Sequence, residues 1–379
     1  MAESAGVAPT WRSSFPAMGT RIDIIGWGGN GMAIVNAVVG VVARHEDMWS
    51  VFRPSSEVSR LNDVVASTGG GGGASRCGAD SAQAGHGLVV SEETDRLLRD
   101  AQALAEATGG VFNPLIGPLV AAWDVKAMRA AYVAGAPLPP APAADAIEAA
   151  LCASSWSLLS RVGERRWVMG VPGESAGGVD APSPSLDLGG IAKGYTADAC
   201  RDLAVAMGAR GVLVSVGTSS VSVFGTRADG SSWRAGLRDP QGGPTSVAGI
   251  VELPAGGMAS LSTSGDNLGP LGVLAPEVVV RAAGSVSDHH ARETSRETAA
   301  GDGRVFDHHI IDPRTGYPAN AGVRQVSVVA SSGVLAEALS TALLVDPSID
   351  VPDVVACWAR ETGTPASARV VSLVRAAQG

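Results

Sequence analysis

The sequence predicts an α+β protein in which mixed, largely antiparallel sheets carry flanking helices. Strand-like and helix-like segments alternate irregularly along the 379 residues, without the strict strand–helix–strand repetition of a parallel sheet. Three strand-like runs, at 211–217, 221–225 and 233–240, are separated by short turns. Short turns favour antiparallel pairing, which places these runs in one antiparallel arrangement.

Composition sets the scale of the protein. Apolar residues make up 45% of the chain and charged residues 17%, which predicts a large buried core and excludes wholesale disorder. With ~150 residues as an average domain, the length leaves open one large α/β domain or two lobes, at about 1–135 and 136–379. The stretches 66–87, with its run of consecutive glycines, and 266–305, with no clear periodicity, predict flexible loops.

Charge and targeting features limit the classes of function. The net charge is -9 and the pI about 5.2, which disfavours a nucleic-acid groove, because such a groove needs a basic surface. No apolar run approaches the ~18 residues of a membrane span, and residues 1–15 show neither a signal peptide nor a lipobox. We therefore expect a cytoplasmic protein without a transmembrane segment, or a periplasmic or membrane-associated one if the true start differs.

Local patterns predict the remaining elements. Ser91 is typical of an N-cap, with acidic residues in the first turn of a helix over 92–107. Alternation of apolar and polar residues predicts a strand over 18–27, and a proline-rich connector at 136–145 precedes a short helix. The other predicted elements are helices over 32–49, 188–208 and 333–345 and a strand over 324–330.

A dinucleotide-binding fingerprint is one interpretation of the N-terminal glycines. Gly26, Gly28 and Gly31 satisfy GxGxxG between a strand and a helix, and the pair at 46–47 is acidic, as a ribose-binding position requires. The preceding strand alternates with polar residues such as Arg21, whereas the first strand of that fold is buried on both faces. A glycine-rich strand-to-helix turn is the simpler interpretation.

The segment LDLGGIAKGYTADAC (186–200) is the most informative one. Asp187 and the pair Gly189–Gly190 open a predicted helix, with Lys193 in its first turns. Glycines let a ligand approach the backbone closely, and the free N–H groups of a helix start favour a phosphate. Lys193 adds a positive charge for a pyrophosphate. The alternative is a tight turn with a solvated lysine.

The segment LSTSGDN (261–267) offers hydroxyl groups at Ser262, Thr263 and Ser264 beside Gly265. We interpret it as a turn whose hydroxyls bind a phosphate or a ring carbonyl. An ordinary polar turn is the alternative.

The segment DHHIIDPRTGYP (307–318) combines a histidine, a carboxylate and a guanidinium in a turn fixed by Pro313 and Gly316. His309 beside Asp312 suits proton transfer, and Arg314 suits a phosphate. A joint metal site of His308 and His309 is disfavoured, because adjacent side chains of an extended segment point in opposite directions.

The segment AEALSTALLV (336–345) is predicted to be helical. Glu337 and Thr341 are four residues apart and so share one helix face. A carboxylate and a hydroxyl on one face suit a hard cation such as Mg²⁺. The alternative is a helix start with an exposed glutamate.

Taken in this order and spacing, these segments resemble the ApbE family of flavin transferases. The similarity extends from FPAMGTRIDI (15–24) to AEALSTALLV (336–345), and DLGGIAKGY, TSG, HIIDPRTG and ALSTAL are jointly specific. The resemblance implies one domain over 1–379 that binds FAD in a cleft, with Mg²⁺ at the pyrophosphate. It implies cleavage of FAD and transfer of FMN, through a phosphoester bond, to a Thr or Ser of an acceptor flavoprotein, with release of AMP. An FAD-binding protein without transfer activity and a Mg²⁺-dependent FAD pyrophosphatase are the alternatives.

The resemblance also implies roles for individual residues. Ala192, through its carbonyl, Glu337 and Thr341 match the metal-ligand positions. His309 matches the functional histidine, with Asp312 as a second candidate for the catalytic base. The positions expected to bind the cofactor are Met18, Phe52, Asp187, Gly190, Lys193, Thr263, Ser264, Gly265 and Arg314.

Four features depart from the family pattern. The family usually has aspartate where Glu337 stands and an acid where Asn113 stands. The segment VGTSS (216–220) stands where the family usually has a Gly-Gly-Asp/Asn turn, which removes a polar side chain near the cleft, and the loop after TSGD is longer than usual. The extra methylene of Glu337 displaces its carboxylate, which matters for an ion as demanding in geometry as Mg²⁺.

Overall fold

The structure is a computed structural model that describes residues 8–68, 87–134, 136–170, 182–240, 246–265 and 309–375. The strands within these ranges are β1 Thr10–Ala17, β2 Thr20–Trp27, β3 Leu88–Val89, β4 Leu159–Gly163, β5 Arg166–Met169, β6 Gly211–Val216, β7 Ser220–Gly225, β8 Arg234–Arg238, β9 Val247–Glu252, β10 Met258–Gly265, β11 Val323–Ala330 and β12 Ala368–Arg375. The α-helices within them are α1 Gly31–Trp49, α2 Glu57–Thr68, α3 Glu92–Ala107, α4 Gly117–Ala122, α5 Val125–Ala134, α6 Ala144–Ala153, α7 Ala192–Ala206, α8 Gly333–Val345 and α9 Val351–Thr362.

A seven-stranded sheet in the order β1-β2-β6-β7-β10-β11-β12 forms the centre of the fold. Its described strand pairs are all antiparallel, as are those of the three-stranded sheet β3-β5-β4 and of the β8-β9 hairpin. The predicted α+β class, with largely antiparallel sheets and flanking helices, is confirmed.

Helices α7 and α8 lie side by side on one face of this sheet. Helix α7 packs on β6 and β7, α8 packs on β10 and β11, and the two helices contact each other. The opposite face is apolar and is covered by the β8-β9 hairpin: Leu237 of β8, and Trp233 just before it, pack against Val223 and Leu261 of the sheet. The junction of α7 and α8 with β7 and β10 is therefore enclosed by secondary structure on several sides.

The β1-β2 hairpin corrects the prediction for the N-terminus. Its tight turn consists of Met18 and Gly19, both with positive φ (51° and 66°), a geometry that matches the twist of the flanking strands. Residues 18–19 therefore form a turn, and the preceding strand β1, absent from the prediction, pairs with β2 from Thr10↔Trp27 to Ala17↔Thr20.

The GxGxxG pattern accommodates a side chain of the protein itself. A Cβ atom at Gly26 or at Gly31 would lie 2.4 Å from the Trp11 ring, and the Trp11 indole N–H donates to the Gly28 carbonyl at 2.9 Å. Strand β2 pairs antiparallel with both neighbours, whereas the fingerprint belongs to a parallel sheet. The dinucleotide-binding interpretation is excluded for this segment.

Several predicted boundaries hold and others shift. Helices α1, α3 and α8 begin and end within one residue of the prediction, and the Ser91 hydroxyl accepts a hydrogen bond from the Thr94 N–H at 3.2 Å as the N-cap. The helix predicted from 188 begins at Ala192, because residues 189–191 form a turn. Strand β8 pairs with β9 rather than with β7, since the intervening residues lead it away from the central sheet.

The segment 261–265 is the second half of β10 instead of a turn. Of the two predicted flexible loops, 66–68 belongs to α2, and 69–86 and 266–305 lie outside the described residues. Within the described ranges, no helix combines the length and apolar character needed to cross a membrane.

Candidate functional site

The glycine-rich turn before α7 is held by its own side chains. The Asp187 carboxylate accepts a hydrogen bond from the Gly189 N–H at 2.8 Å. The Lys193 ammonium, 29% exposed, donates to the Gly189 carbonyl at 2.7 Å. Because the Asp187 side chain binds the Gly189 N–H and so competes with helical hydrogen bonding, the helix begins only after the glycines. The lysine is thereby folded back over the turn and close to the start of its helix.

Glu337 reaches from α8 to the start of α7. Its side chain is 4% exposed, and Oε2 accepts a hydrogen bond from the Gly194 N–H at 2.7 Å. Gly194 lies in the first turn of α7, where N–H groups lack a helical acceptor and favour a negative charge. The Lys193 Nζ atom lies 3.8 Å from Glu337 Oε1. Two residues predicted for the site, 144 positions apart in the chain, are thus brought together.

Two glycines allow this contact between the helices. A Cβ atom at Gly194 would lie 2.3 Å from the Gly333 carbonyl oxygen, and one at Gly333 would lie 2.3 Å from the Gly194 carbonyl oxygen. The backbones of α7 and α8 therefore touch directly. This close approach brings Glu337, one turn along α8 from Gly333, within reach of the Gly194 N–H.

A row of serines on the sheet faces α8. Ser220 on β7 lies opposite Ser262 on β10 in the strand register, and Ser262 Oγ lies 3.2 Å from Ser340 Oγ. Ser264 Oγ lies 2.8 Å from Ser340 Oγ and 3.1 Å from Thr341 Oγ1. Ser264 and Thr341, which were each predicted for the site, therefore meet at the same sheet–helix interface that holds Glu337.

Thr263 points to the other side of the sheet. Side chains alternate along a strand, and Thr263 Oγ1 lies 2.8 Å from Ser327 Oγ of β11. Gly265, the last residue of β10, pairs with Gln325. The hydroxyls of Thr263 and Ser264, predicted to act together, consequently do not share one face.

Arg314 and Asp312 bind each other within the predicted turn. Arg314 donates to both oxygens of Asp312, at 3.1 and 2.9 Å, and to Asp346 at 2.6 Å. The hydrogen bonds from Arg314 to Asp312, the larger contribution, and to Asp346 raise the pKa of the guanidinium above its usual range. Both groups predicted for catalysis or phosphate binding are thereby engaged in fixing the turn to the C-terminal end of α8, since Asp346 is the C-cap of that helix.

Three further residues predicted for the site, His309, Phe52 and Met18, belong to other segments of the chain. His309 is half-buried and directly precedes the turn 310–318, whereas His308 lies outside the described residues. Phe52 is 77% exposed, and the Lys126 ammonium lies 5.4 Å from its ring centre. Met18 packs against the two largest apolar clusters. Contacts of these three residues with a flavin stay predictions.

The donor groups at the junction have the chemistry of a magnesium site. Glu337 offers a carboxylate, Thr341 a hydroxyl and Ala192 a carbonyl, all of them hard oxygen donors. The Ala192 carbonyl also accepts a hydrogen bond from the Thr196 hydroxyl at 2.7 Å. Within the described ranges, no cluster of three or more His, Cys, Asp or Glu residues could hold a metal. A cation here would therefore need neutral oxygens and substrate phosphates in addition to one carboxylate, and the residues fit that demand.

Sequence reasoning missed two residues of this site. Ser220 contacts Glu337, and Asp198 binds the first N–H of α8 at 2.6 Å. The signal available for Ser220 was the recurrence of serine at every second position along 220–222 and 260–264. Serines on the buried face of a strand need hydrogen-bond partners, so their spacing marks a polar interface.

The fold and this site define a class: α+β proteins with a lysine and a carboxylate at a glycine-rich helix start, beside hydroxyl groups on an antiparallel sheet. Residues 18–268 and 282–363 match the model of the ApbE family. The chain belongs to the ApbE family, and the resemblance inferred from its motifs is confirmed.

Relatives of known name support this assignment. The FAD:protein FMN transferase of Treponema pallidum is 31% identical over 273 residues, which cover 70% of this chain and 63% of the relative. That of Rhodobacter capsulatus is 29% identical over 322 residues, covering 84% of this chain and 48% of the relative. The chain thus spans between about half and just under two thirds of the length of these two relatives.

A solved structure shows the same fold. The flavin transferase ApbE from Vibrio cholerae matches 97% of this chain and 97% of its own, with a TM-score of 0.63 and 21% sequence identity. At this level of sequence identity, the comparison shows that the two chains share a fold.

Proposed function

We propose that this protein is a Mg²⁺-dependent FAD:protein FMN transferase. The observation that carries the proposal is the meeting of Lys193 and Glu337, 3.8 Å apart, at the glycine-rich start of α7. The relatives named FAD:protein FMN transferase support the same conclusion.

The diphosphate of FAD would bind at the turn Gly189–Gly190, with Asp187 shaping the turn. A helix start favours anions, and Lys193 adds a positive charge beside it. Glu337 carries the opposite charge and would repel a diphosphate unless a cation lay between them. This charge arrangement favours a divalent ion as a partner of the substrate.

Glu337, Thr341 and the Ala192 carbonyl would hold that ion. A bound Mg²⁺ supplies charge neutralisation at the pyrophosphate and at the leaving phosphate. The hydroxyl of Ser264, 3.1 Å from that of Thr341, would orient the threonine side chain or contact a phosphate oxygen.

The transfer forms one bond and breaks one. The hydroxyl oxygen of the acceptor's Thr or Ser bonds to the phosphorus on the FMN side of FAD, and the bond from that phosphorus to the bridging oxygen breaks. AMP leaves with that oxygen. The proton of the hydroxyl passes to a base, for which we propose His309.

Asp312 and Arg314 take a different share in this proposal. Their mutual bidentate ion pair and the bond to Asp346 leave Asp312 poorly placed to accept a proton. We assign both residues to holding the turn that follows His309. Arg314 would in addition lie near the substrate.

The flavin and adenine rings of FAD would contact residues outside the junction of α7 and α8. Phe52, exposed and aromatic, would stack on a ring. Met18 and Gly265 would contact the remaining parts of FAD. Thr263, whose hydroxyl faces Ser327 on the other side of the sheet, is assigned no contact with FAD.

The decisive experiment supplies the protein with FAD, Mg²⁺ and an acceptor flavoprotein. We expect AMP release together with a mass increase on the acceptor equal to FMN, and loss of both on chelation of the metal. FMN and AMP appearing at the same rate without any acceptor would instead identify an FAD pyrophosphatase. Bound FAD with no AMP released would identify a flavin-binding protein without transfer.

A further inference from the structure

The Glu337 carboxylate has a second partner besides the helix start. The Ser220 hydroxyl donates to Glu337 Oε1 at 2.5 Å, while the Gly194 N–H donates to Oε2. Ser220 is 1% exposed and is the first residue of β7. One donor comes from the sheet and the other from α7, while the carboxylate belongs to α8.

The two donors fix the orientation of the carboxylate. An ionised carboxylate offers about four acceptor positions on its two oxygens, and one position on each oxygen is filled. The side chain has no freedom to rotate without breaking one of two charge-assisted hydrogen bonds. The remaining positions keep one orientation relative to Lys193 and Thr341.

The position of Ser220 is itself fixed by the sheet. The Ser219 carbonyl accepts a hydrogen bond from the Thr263 N–H at 2.9 Å, and Ser220 pairs with Ser262 in the β7-β10 register. Ser219 Oγ lies 3.3 Å from Ser220 Oγ. Because the Ser220 proton is directed at Glu337, the Ser219 hydroxyl is the donor between the two serines.

We propose that Ser220 is a positioning residue: it holds the Glu337 carboxylate in the orientation that binds a divalent cation. The proposal rests on the proposed function, because that function makes Glu337 a metal ligand. It adds that the orientation of the Glu337 carboxylate on α8 is set by the Ser220 hydroxyl on the sheet.

The test measures cation binding directly, without turnover. Mn²⁺ prefers the same oxygen donors as Mg²⁺, and free Mn²⁺ is quantified by its EPR signal in titrations of the FAD-loaded protein. We expect Ser220→Ala to weaken Mn²⁺ binding by about 10- to 100-fold, the usual effect of removing a group that orients a ligand. Ser220→Cys, which keeps the shape of the side chain with a somewhat larger atom but donates weakly, should lie between the wild type and Ser220→Ala.

Ser215→Ala is the matched control. Ser215 lies on β6 of the same hairpin, and its hydroxyl donates to the Gly217 carbonyl at 2.8 Å, not to Glu337. We expect this variant to bind Mn²⁺ within about 3-fold of the wild type, since it leaves the group that orients the ligand intact. An equal loss in both serine variants would show a general effect of the hairpin and overturn the proposal.

A double-mutant cycle with Glu337→Asp separates positioning from packing. The shorter side chain cannot span from α8 to both Gly194 and Ser220, so adding Ser220→Ala to Glu337→Asp should cost little further affinity. The same fold-loss in both backgrounds would show that the two residues act independently and would refute the proposal.

The outcomes also distinguish this inference from the proposed function. A wild-type protein that binds Mn²⁺ but transfers no FMN refutes the transferase, and the Mn²⁺ titrations still decide the role of Ser220. A wild-type protein that binds no Mn²⁺ with FAD present overturns the role of Ser220 as well.

Discussion

The carboxylate of Asp198 on α7 accepts a hydrogen bond of 2.6 Å from the backbone N–H of Gly333, the first residue of α8. Gly333 is also the point at which the two helix backbones touch. Asp198 therefore caps α8 from the neighbouring helix. Because Glu337 lies one turn further along α8, the same bond also fixes the base of the Glu337 side chain.

The other oxygen of Asp198 belongs to a buried polar cluster. It accepts hydrogen bonds from Arg201 at 2.9 Å and from the hydroxyls of Ser222 and Ser260. The side chain of Arg201 is 5% exposed. Burial opposes its charge, but Asp198 and Asp202 outweigh that effect and raise the pKa of Arg201. The cluster consequently depends on Asp198 as its central acceptor.

We expect Asp198→Ala to lower the free energy of unfolding by about 3 kcal/mol, because it leaves a buried guanidinium without its main partner. Urea denaturation followed by circular dichroism measures the change. Asp202→Ala is the control: Asp202 also binds Arg201, at 2.8 Å, but its side chain is 53% exposed, so the loss should stay under about 1 kcal/mol. Equal losses in the two variants would contradict the central role of Asp198.

Elements with local signals could be predicted from the sequence. Helix α3 has an N-cap at Ser91 and an acidic first turn, and both its ends were predicted correctly. The glycine pair and Lys193 located the start of α7 to within four residues, from 188 predicted to Ala192 observed, because glycine and charge near a helix start are visible within one short segment. The oxygen donors Glu337 and Thr341 could be paired because helical spacing alone places them on one face.

Long-range relationships could not be predicted in this way. Ser220 and Glu337 are separated by 117 positions, and only the strand order and the glycine contact between the helices bring them together. The segment 261–265 was assigned to a turn because its residues are polar, yet it is a strand whose serines face a helix. In the same way, the ion pair of Asp312 and Arg314 depends on backbone geometry within the turn, so the sequence could not show that these two groups bind each other.

Glu337→Gln should abolish Mg²⁺-dependent release of AMP from FAD while preserving the fold. The amide keeps the length of the side chain and can still accept a hydrogen bond from the Gly194 N–H, but it carries no charge for a cation. Measurement of AMP by chromatography tests the loss of activity, and a thermal melt tests whether the fold is preserved. Glu337→Ala should in addition lower stability by about 1–3 kcal/mol, because it leaves two buried donors unsatisfied. An undiminished rate in Glu337→Gln would remove this residue from the metal site.

Lys193→Ala should raise the dissociation constant for FAD by about 10-fold or more, the equivalent of one charge-assisted hydrogen bond. Quenching of flavin fluorescence measures it. Arg227→Ala removes an equal charge from an exposed pair with Asp229 and should leave FAD binding unchanged. A dissociation constant unaffected by Lys193→Ala would place the diphosphate elsewhere.

His45 gives the protein a predictable response to acid. The imidazole is fully buried and packs against the tilted Trp49 ring, with ring centres 4.3 Å apart. Its Nδ1 atom lies 2.9 Å from the Thr196 hydroxyl, and Nε2 lies 3.7 Å from Glu93. Burial lowers the pKa of His45 from 6.5 to about 4, and the nearby Glu93 carboxylate only partly opposes this effect.

Stability should therefore fall as the pH is lowered through this window. Above pH 6.5 the imidazole is neutral in both the folded and the unfolded state, and its full contribution is present. Between pH 6.5 and about 4 the unfolded state binds a proton that the folded state does not bind, which lowers the free energy of unfolding by up to about 3 kcal/mol. Asp100 acts with the opposite sign, because burial raises its pKa from 3.8 to about 6. The folded state then holds the proton more tightly than the unfolded state does.

A comparison of the wild type with His45→Gln isolates the histidine from Asp100 and the other acids. Urea denaturation of both proteins between pH 7.5 and 4 gives the difference in unfolding free energy at each pH. We expect the wild type to lose about 3 kcal/mol relative to the variant across this range, since glutamine does not titrate and all other groups are shared. A difference that stays constant with pH would mean that His45 accepts a proton in the folded protein as readily as in the unfolded chain. That outcome would require the pocket formed by Trp49, Thr196 and Glu93 to admit water or to stabilise the imidazolium.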